Sequence, residues 1–154
     1  MNIKSAALSI PCIPRDTIGI CGLQRNGETG YSATVRRTLV VKVTAGKDDT
    51  ERSNQAFTVA ATAAASGVTV SLWLTGEAAW FALPGRAADV SLPHAVPLRD
   101  LLATVLSLGT VTLCTQCAAR REITEADVIE GIRIAGSATL VSEIMADDAQ
   151  ALVY

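Results

Sequence analysis

Apolar residues recur along the chain with two different periods, and these periods define the predicted elements. Residues 39–43 form a short β-branched run, and residues 68–74 alternate apolar with polar side chains, as a strand does. Between them, residues 53–66 are rich in alanine and place their apolar side chains on one helical face. Strand, helix and strand within about 40 residues predict a βαβ unit with a right-handed crossover.

The alternation of strands and helices continues to the C-terminus. Residues 98–106 carry leucine and valine at helical spacing, and residues 111–113 predict the next strand. Residues 124–130 begin with a capping-box pattern that predicts a helix. Residues 140–144 indicate a last helix, and residues 149–153 a final strand. Buried strands that alternate with helices predict an α/β domain with three αβα layers around a mostly parallel sheet.

Two stretches fall outside this alternation. Residues 77–83 predict a short helix that carries Trp80, and the prolines within residues 84–97 predict an irregular loop, which is a candidate lid. Residues 1–37 hold glycines and prolines without a sustained apolar period, so we expect an irregular or disordered leader there. Charge supports this division, because residues 1–38 hold five cations and two anions whereas the remainder is net negative.

Composition and charge exclude several classes of protein. The 154 residues suffice for one ordinary domain, and a net charge of −2 argues against a nucleic-acid partner. Apolar runs stop well short of the roughly 20 residues that cross a bilayer, and the N-terminal one is too short for a secretory signal. We therefore expect no membrane association and a cytoplasmic location. Four cysteines are too few for a disulfide scaffold, and in a reducing compartment they indicate redox, sulfur or metal chemistry.

The candidate site follows from the predicted sheet. In open parallel sheets, ligands bind beyond the carboxyl ends of the strands, and this edge collects the loop 46–52, the turn 76–77 and Cys114. Cys114 lies at a predicted turn from strand to helix. Unpaired backbone N–H groups there, with Arg120 and Arg121 one to two turns onward, favour the thiolate form of its side chain.

Cys117 follows three residues later and is close enough to reach the sulfur of Cys114, either to resolve an oxidised form or to share its cargo. We therefore predict that Cys114 and Cys117 are the reactive residues. Gly46 and Asp49, together with the two arginines, are the predicted substrate-binding residues. Other interpretations stay open, because the thiols also fit small buried core residues, Asp49 fits an ordinary helix cap, and the arginines fit a solvated helix surface.

A zinc site would require two ligands beyond Cys114 and Cys117. The available candidates are Cys12, Cys21 and His94, but the first two are further apart than in a usual zinc knuckle. His94, a lone histidine between prolines, fits an exposed loop better than a general base. We therefore expect neither a metal nor an organic cofactor.

A specific pattern of residues surrounds Cys114. Arg120 and Arg121 follow it after five intervening residues. The other parts of the pattern are Ile123-Thr124, Ile134-Ala135-Gly136, the C-terminal residues 151–154, and residues 43–49 ahead of the alanine-rich helix. Together these segments resemble the DsrE/TusD-like sulfur-relay family over residues 38–154. Glu122 departs from the pattern, since these proteins commonly carry glycine at that position.

The resemblance implies a cytoplasmic, flavodoxin-like αβα domain (the DsrE-like fold) at residues 38–154, often a homotrimer or hexamer. It also implies that Cys114 accepts sulfane sulfur and passes it to a partner thiol. The leading hypothesis is therefore a persulfide carrier or sulfurtransferase whose partners are sulfur donor and acceptor proteins or small thiols. The alternatives are a redox protein that cycles Cys114 and Cys117 through a disulfide, and a non-catalytic oligomeric binding module.

Overall fold

Strands and short helices alternate throughout the part of the chain that the computed structural model describes, residues 37–154. The predicted leader lies outside these residues, apart from Arg37. The strands are β1 (Thr38–Val43), β2 (Thr69–Leu74), β3 (Thr110–Cys114), β4 (Ile132–Ala135) and β5 (Ala149–Val153). The α-helices are α1 (Thr50–Ala65), α2 (Leu98–Leu108), α3 (Thr115–Arg120) and α4 (Ser137–Ile144), and two 3₁₀ helices span Gly76–Ala82 and Arg86–Asp89.

The five strands form one all-parallel sheet in the order β4-β3-β2-β1-β5. Strands β2, β3 and β4 therefore each lie beside the strand that precedes them in the chain, and β5 crosses back to the far side of β1. The predicted three-layer, flavodoxin-like α/β fold is confirmed. Because all strands run in the same direction, their carboxyl ends form a single edge, where the loops after β1, β2 and β3 meet.

One face of the sheet packs against α1 and α2 and forms the main core. Val41 and Leu72 on this face are fully buried together with Phe57 of α1. Phe57 also meets Phe81 edge to face, with ring centroids 5.8 Å apart and an interplanar angle of 86°. This contact secures the first 3₁₀ helix over the carboxyl edge of the sheet.

The opposite face of the sheet is partly polar. Glu143 of α4 accepts hydrogen bonds from Ser71 Oγ (2.6 Å) and Trp73 Nε1 (2.8 Å) and pairs with Arg133. Arg133 in turn donates from Nε to Thr112 Oγ1 over 2.8 Å. This network explains how buried polar residues of the central strands are satisfied, and it holds α4 against the sheet.

Three local predictions differ from the structure. The predicted helix over residues 124–130 is wrong, because Asp127 accepts from both the backbone N–H and the hydroxyl of Thr124 in an isolated turn. Strand β4 was not predicted, since its four residues carry only two isoleucines as an apolar signal. The proline-containing loop includes the regular 3₁₀ turn Arg86–Asp89.

None of the helices formed by residues 37–154 combines the length and the apolarity needed to cross a bilayer.

Candidate functional site

Cys114 lies where β3 ends and α3 begins, as its N-cap residue. Its side chain is a free, partly buried thiol. Partial burial raises the pKa of Cys114, but four other interactions outweigh it and lower the pKa from the ordinary value of 9.0. These are interactions with the backbone N–H of Cys117, the thiol of Cys117, the backbone N–H of Gln116 and the positive charge of Lys42. The strand end thus presents a thiol that ionises readily.

Cys117 in the first turn of α3 differs from Cys114 although only two residues separate them. It is buried, and its Sγ accepts a hydrogen bond from the backbone N–H of Gly76 at 3.2 Å. Burial raises the pKa of Cys117 above 9.0, and the neighbouring Cys114 raises it further. The Gly76 N–H and the charge of Arg121 lower it, but by less. Cys114 therefore ionises first, and Cys117 stays a neutral thiol beside it.

The loops after β1 and β2 touch each other at the same edge. A Cβ on Gly46 would lie 2.6 Å from the carbonyl oxygen of Glu77, so only glycine allows this approach. The Gly46 N–H donates to Asp48 Oδ1 over 2.6 Å, which fixes the loop ahead of α1. Gly46 thus lets the backbone of residues 76–77 reach its position above Cys117.

Arg121 links α3 to the first 3₁₀ helix. Its Nη2 pairs with Glu77 Oε1 at 2.6 Å, and its Nη1 donates to the Cys117 carbonyl at 3.3 Å. The side chain is only 14% exposed. Its Nε is buried and has no hydrogen-bond partner among the described residues. An unsatisfied buried N–H costs about 1–3 kcal/mol, and the contact of the guanidinium with the ring of Trp80 offsets part of this cost.

Trp80 stands between two clefts beside Arg121. The guanidinium carbons of Arg86 and Arg121 lie 5.7 and 5.6 Å from the centroid of its ring, within cation–π range. One cleft, of about 420 Å³, is lined by Trp80, Leu83, Pro84, Arg86, Arg121, Glu122, Ile123 and Asp127. The other, of about 290 Å³, is lined by Lys47, Glu77, Trp80, Phe81 and Arg86. Both clefts are therefore shaped by the same indole ring and by Arg86.

Comparison of the sequence with known protein families identifies the family to which it belongs. The sequence model of the DsrE/DsrF-like family matches residues 38–153. The chain belongs to the DsrE/DsrF-like family. The predicted resemblance is thereby confirmed at the level of the family, over nearly all of the described residues. No curated protein matches the sequence.

Solved structures agree with the assignment to the DsrE/DsrF-like family at the level of the fold. The YchN protein of E. coli superposes with a TM-score of 0.57 at 17% sequence identity, covering 77% of this chain and 99% of YchN. MTH1491 from Methanobacterium thermoautotrophicum, a protein of unknown function, gives the same TM-score and the same coverages at 10% identity.

Two of the predicted substrate-binding residues of this DsrE/DsrF-like chain lie apart from Cys117. Asp49 caps α1, because its Oδ1 accepts from the Arg52 N–H at 3.1 Å, and its carboxylate also pairs with the Arg52 guanidinium. Arg120 is exposed at the end of α3 and forms no ion pair within residues 37–154. Of the four predicted residues, the structure thus brings Gly46 and Arg121 to the surroundings of Cys117.

Sequence reasoning missed Lys42, which lowers the pKa of Cys114 through its charge. Lys42 pairs in register with Trp73, and Trp73 with Thr112, so the three side chains share one face of the sheet. Cys114 stands two residues beyond Thr112 and faces the same way. The available signal was a single basic residue within the apolar strand β1.

Residues 37–154 contain no group of three or more potential metal ligands. Cys12 and Cys21, weighed above as zinc ligands, lie outside these residues. His94 adopts a positive φ of 62° in the exposed proline-containing loop.

Proposed function

We propose that this protein is a cysteine-persulfide carrier of sulfurtransferase type. The Cys114 thiolate attacks the terminal sulfur of a donor persulfide, R–S–SH. The new S–S bond forms on Cys114, the donor S–S bond breaks, and the donor leaves as the thiolate R–S⁻. An acceptor thiolate then attacks the terminal sulfur of Cys114–S–SH and regenerates the Cys114 thiolate. Sulfur moves between thiols without net oxidation, so the cycle requires no organic cofactor.

The observation that carries this proposal is the contrast between the two thiols. Cys114 combines partial exposure with a lowered pKa, whereas Cys117 is buried with a raised pKa. A relay requires one nucleophilic thiolate that a donor and an acceptor can reach in turn, and this arrangement favours Cys114. Membership of the DsrE family, which is generally linked to sulfur relay, supports the same assignment.

Cys117 and Arg121 have supporting roles in this proposal. The Cys117 thiol and backbone N–H lower the pKa of Cys114, and this stabilises the thiolate before attack and after sulfur has left. Arg121 holds the carbonyl of Cys117 and the side chain of Glu77, which ties α3 to the first 3₁₀ helix. The partners are sulfur donor and acceptor proteins or small thiols, in a reducing compartment such as the cytoplasm.

A homo-oligomer, either a trimer or a hexamer, is part of the same proposal. Val141 and Met145 at α4 are 52% and 73% exposed, and Val153 on the edge strand β5 is 68% exposed. Apolar side chains gathered on an edge strand and the helix packed against it are typical of a surface that a second chain covers.

A dithiol redox protein is the second candidate. Cys114 and Cys117 have the Cys-x-x-Cys spacing and each shifts the pKa of the other, which favours formation of a disulfide between them. In that mechanism Cys117 would attack an oxidised Cys114 and form a disulfide.

Intact-mass spectrometry separates the two mechanisms. The protein carries Cys12→Ser and Cys21→Ser throughout, so that only Cys114 and Cys117 react, and it is reduced before incubation with an organic persulfide. We expect the mass to rise by one sulfur atom in this background and in its Cys117→Ser variant, but not in its Cys114→Ser variant. A loss of two hydrogens without retained sulfur, abolished by either substitution, would instead establish the redox mechanism.

A further inference from the structure

The cleft of about 420 Å³ beside Trp80 (the Trp80 cleft) is lined by charged side chains that have free hydrogen-bonding groups. Arg121 donates only one hydrogen bond from each Nη within residues 37–154, and Arg86 forms no ion pair within the described part of the chain. Both guanidinium groups lie against the ring of Trp80. Two guanidinium groups held beside an open cleft are typical of a site for a planar carboxylate, which accepts from both of them.

Glu122 brings the opposite charge to the same cleft. Its backbone adopts φ 55°, in the left-handed region where glycine is favoured over other residues. Within residues 37–154 its carboxylate accepts no hydrogen bond and forms no ion pair, whereas the Asp127 carboxylate accepts two hydrogen bonds from Thr124. A strained residue that carries a free carboxylate into a cleft indicates a cationic group of a ligand.

The remaining lining of the cleft is apolar, with Leu83, Pro84 and Ile123 beside the indole ring. An inorganic anion would leave this surface uncovered, whereas an organic molecule with a short apolar or sulfur-containing side chain would cover it. The volume of about 420 Å³ accommodates a molecule of amino-acid size.

We infer that the Trp80 cleft binds a small amino-acid-type zwitterion. Its carboxylate accepts from the guanidinium groups of Arg121 and Arg86, its ammonium group pairs with Glu122, and its side chain lies on the apolar wall. If the proposed function holds, the ligand class is an amino-acid thiol or persulfide that serves as sulfur donor or acceptor, and this last step alone rests on that function.

Three unreactive thioethers test the inference by titration, because they cannot exchange sulfur with any cysteine. S-methyl-L-cysteine carries both charges, its N-acetyl derivative keeps only the carboxylate, and 2-(methylthio)ethylamine keeps only the ammonium group. Binding is measured by calorimetry and by tryptophan fluorescence. The fluorescence change reports on Trp80, since Trp80 is half-buried at the cleft whereas Trp73 is 1% exposed.

We expect saturable binding of S-methyl-L-cysteine and about tenfold weaker binding of each singly charged analogue. Arg86→Gln should weaken binding of the zwitterion about tenfold, and Glu122→Gln should do the same while leaving the N-acetyl derivative unaffected. The matched controls are Arg99→Gln on α2 and Asp147→Asn in the turn before β5, two exposed positions that do not line the cleft, and both should bind as the unmodified protein does. Equal weakening in the controls, or no saturation with the zwitterion, would overturn the inference.

Sulfur loading on Cys114, measured by mass, keeps this inference separate from the proposed function. Loading without zwitterion binding would contradict the ligand site and leave the carrier mechanism standing. Zwitterion binding through Arg86 and Glu122 without any loading would establish the site and contradict the carrier mechanism.

Discussion

The backbone N–H of Gly76 donates a hydrogen bond to Cys117 Sγ over 3.2 Å, although 41 positions separate the two residues. Gly76 reaches this position with φ 51°, and a Cβ there would lie 2.8 Å from the carbonyl oxygen of Thr44. The turn after β2 therefore depends on glycine both for its conformation and for space. Because the turn holds the buried thiol, its geometry is linked to the environment of the reactive edge.

Replacing Gly76 by alanine should destabilise the protein. The left-handed conformation costs an L-residue about 1–2 kcal/mol, and the clash with Thr44 adds to this, so we expect a loss of about 2 kcal/mol or more in the free energy of unfolding. Urea denaturation measures it. Gly85→Ala is the matched control, because Gly85 has φ 81° but open space around its Cβ position. A loss at Gly76 no larger than at Gly85 would contradict the steric part of the argument.

Alkylation of the two thiols should show different pH profiles. The pKa of Cys114 is lowered and that of Cys117 raised, so the Cys114 rate should level off at the lower pH and exceed the Cys117 rate at neutral pH. Peptide mass spectrometry after timed exposure to iodoacetamide gives both rates in one sample. A faster Cys117 at neutral pH would reverse the assigned order of ionisation.

Removing the charge of Lys42 should shift the Cys114 profile to higher pH. Lys42 favours the thiolate through its positive charge, so Lys42→Gln raises the pKa of Cys114 toward the ordinary thiol value. Lys47→Gln is the control, because Lys47 is an exposed residue that pairs with Asp89 at 2.6 Å. Coincident Cys114 profiles for Lys42→Gln and the unmodified protein would show that the charge has no influence.

The sequence predicted the fold because the governing signals are local. Apolar period and helix-ending glycines are sufficient for β1, α1, β2 and α2, and the parallel sheet then brings Cys114 to the carboxyl edge. The failure at residues 124–130 has a local cause as well. The Thr and Asp of a capping box can bond to each other in an isolated turn, and the sequence does not distinguish the two outcomes.

Much of the candidate site depends instead on contacts between distant residues. Arg121 meets Trp80 and Glu77 from more than 40 positions away, and Lys42 acts on Cys114 across the sheet. No period or motif encodes these approaches, because they arise from the strand order and from the close contact at Gly46. The cleft beside Trp80 was therefore not predictable, although the sequence did predict the short helix that carries Trp80.

Glu143→Gln should reduce stability in a pH-dependent manner. Partial burial opposes ionisation, but hydrogen bonds from Ser71, Trp73 and Arg133 outweigh it and hold the pKa of Glu143 below 4.5. A carboxylate with a lowered folded-state pKa contributes stability above its unfolded value, and this contribution is lost as the pH falls through the folded pKa.

We therefore expect the unmodified protein to exceed Glu143→Gln by about 1–3 kcal/mol at pH 7, with the difference shrinking below about pH 4.5. Urea denaturation across pH measures both stabilities. Glu125→Gln, at an exposed position, should match the unmodified protein throughout. A Glu143→Gln deficit that persists unchanged in acid would attribute the effect to packing rather than to charge.

A charge placed on the apolar surface of α4 and β5 should dissociate the proposed homo-oligomer. Met145 is 73% exposed and forms this surface together with Val141 and Val153. A lysine buried there in a subunit contact would lose its hydration without gaining a partner charge. We expect light scattering to give a multiple of the 16.0 kDa chain mass for the unmodified protein and the chain mass itself for Met145→Lys. Leu108→Lys is the matched control, since Leu108 is 56% exposed at the end of α2, and it should keep the oligomer intact. A monomeric unmodified protein at micromolar concentration would refute the oligomer, and dissociation by Leu108→Lys would place the contact on another face.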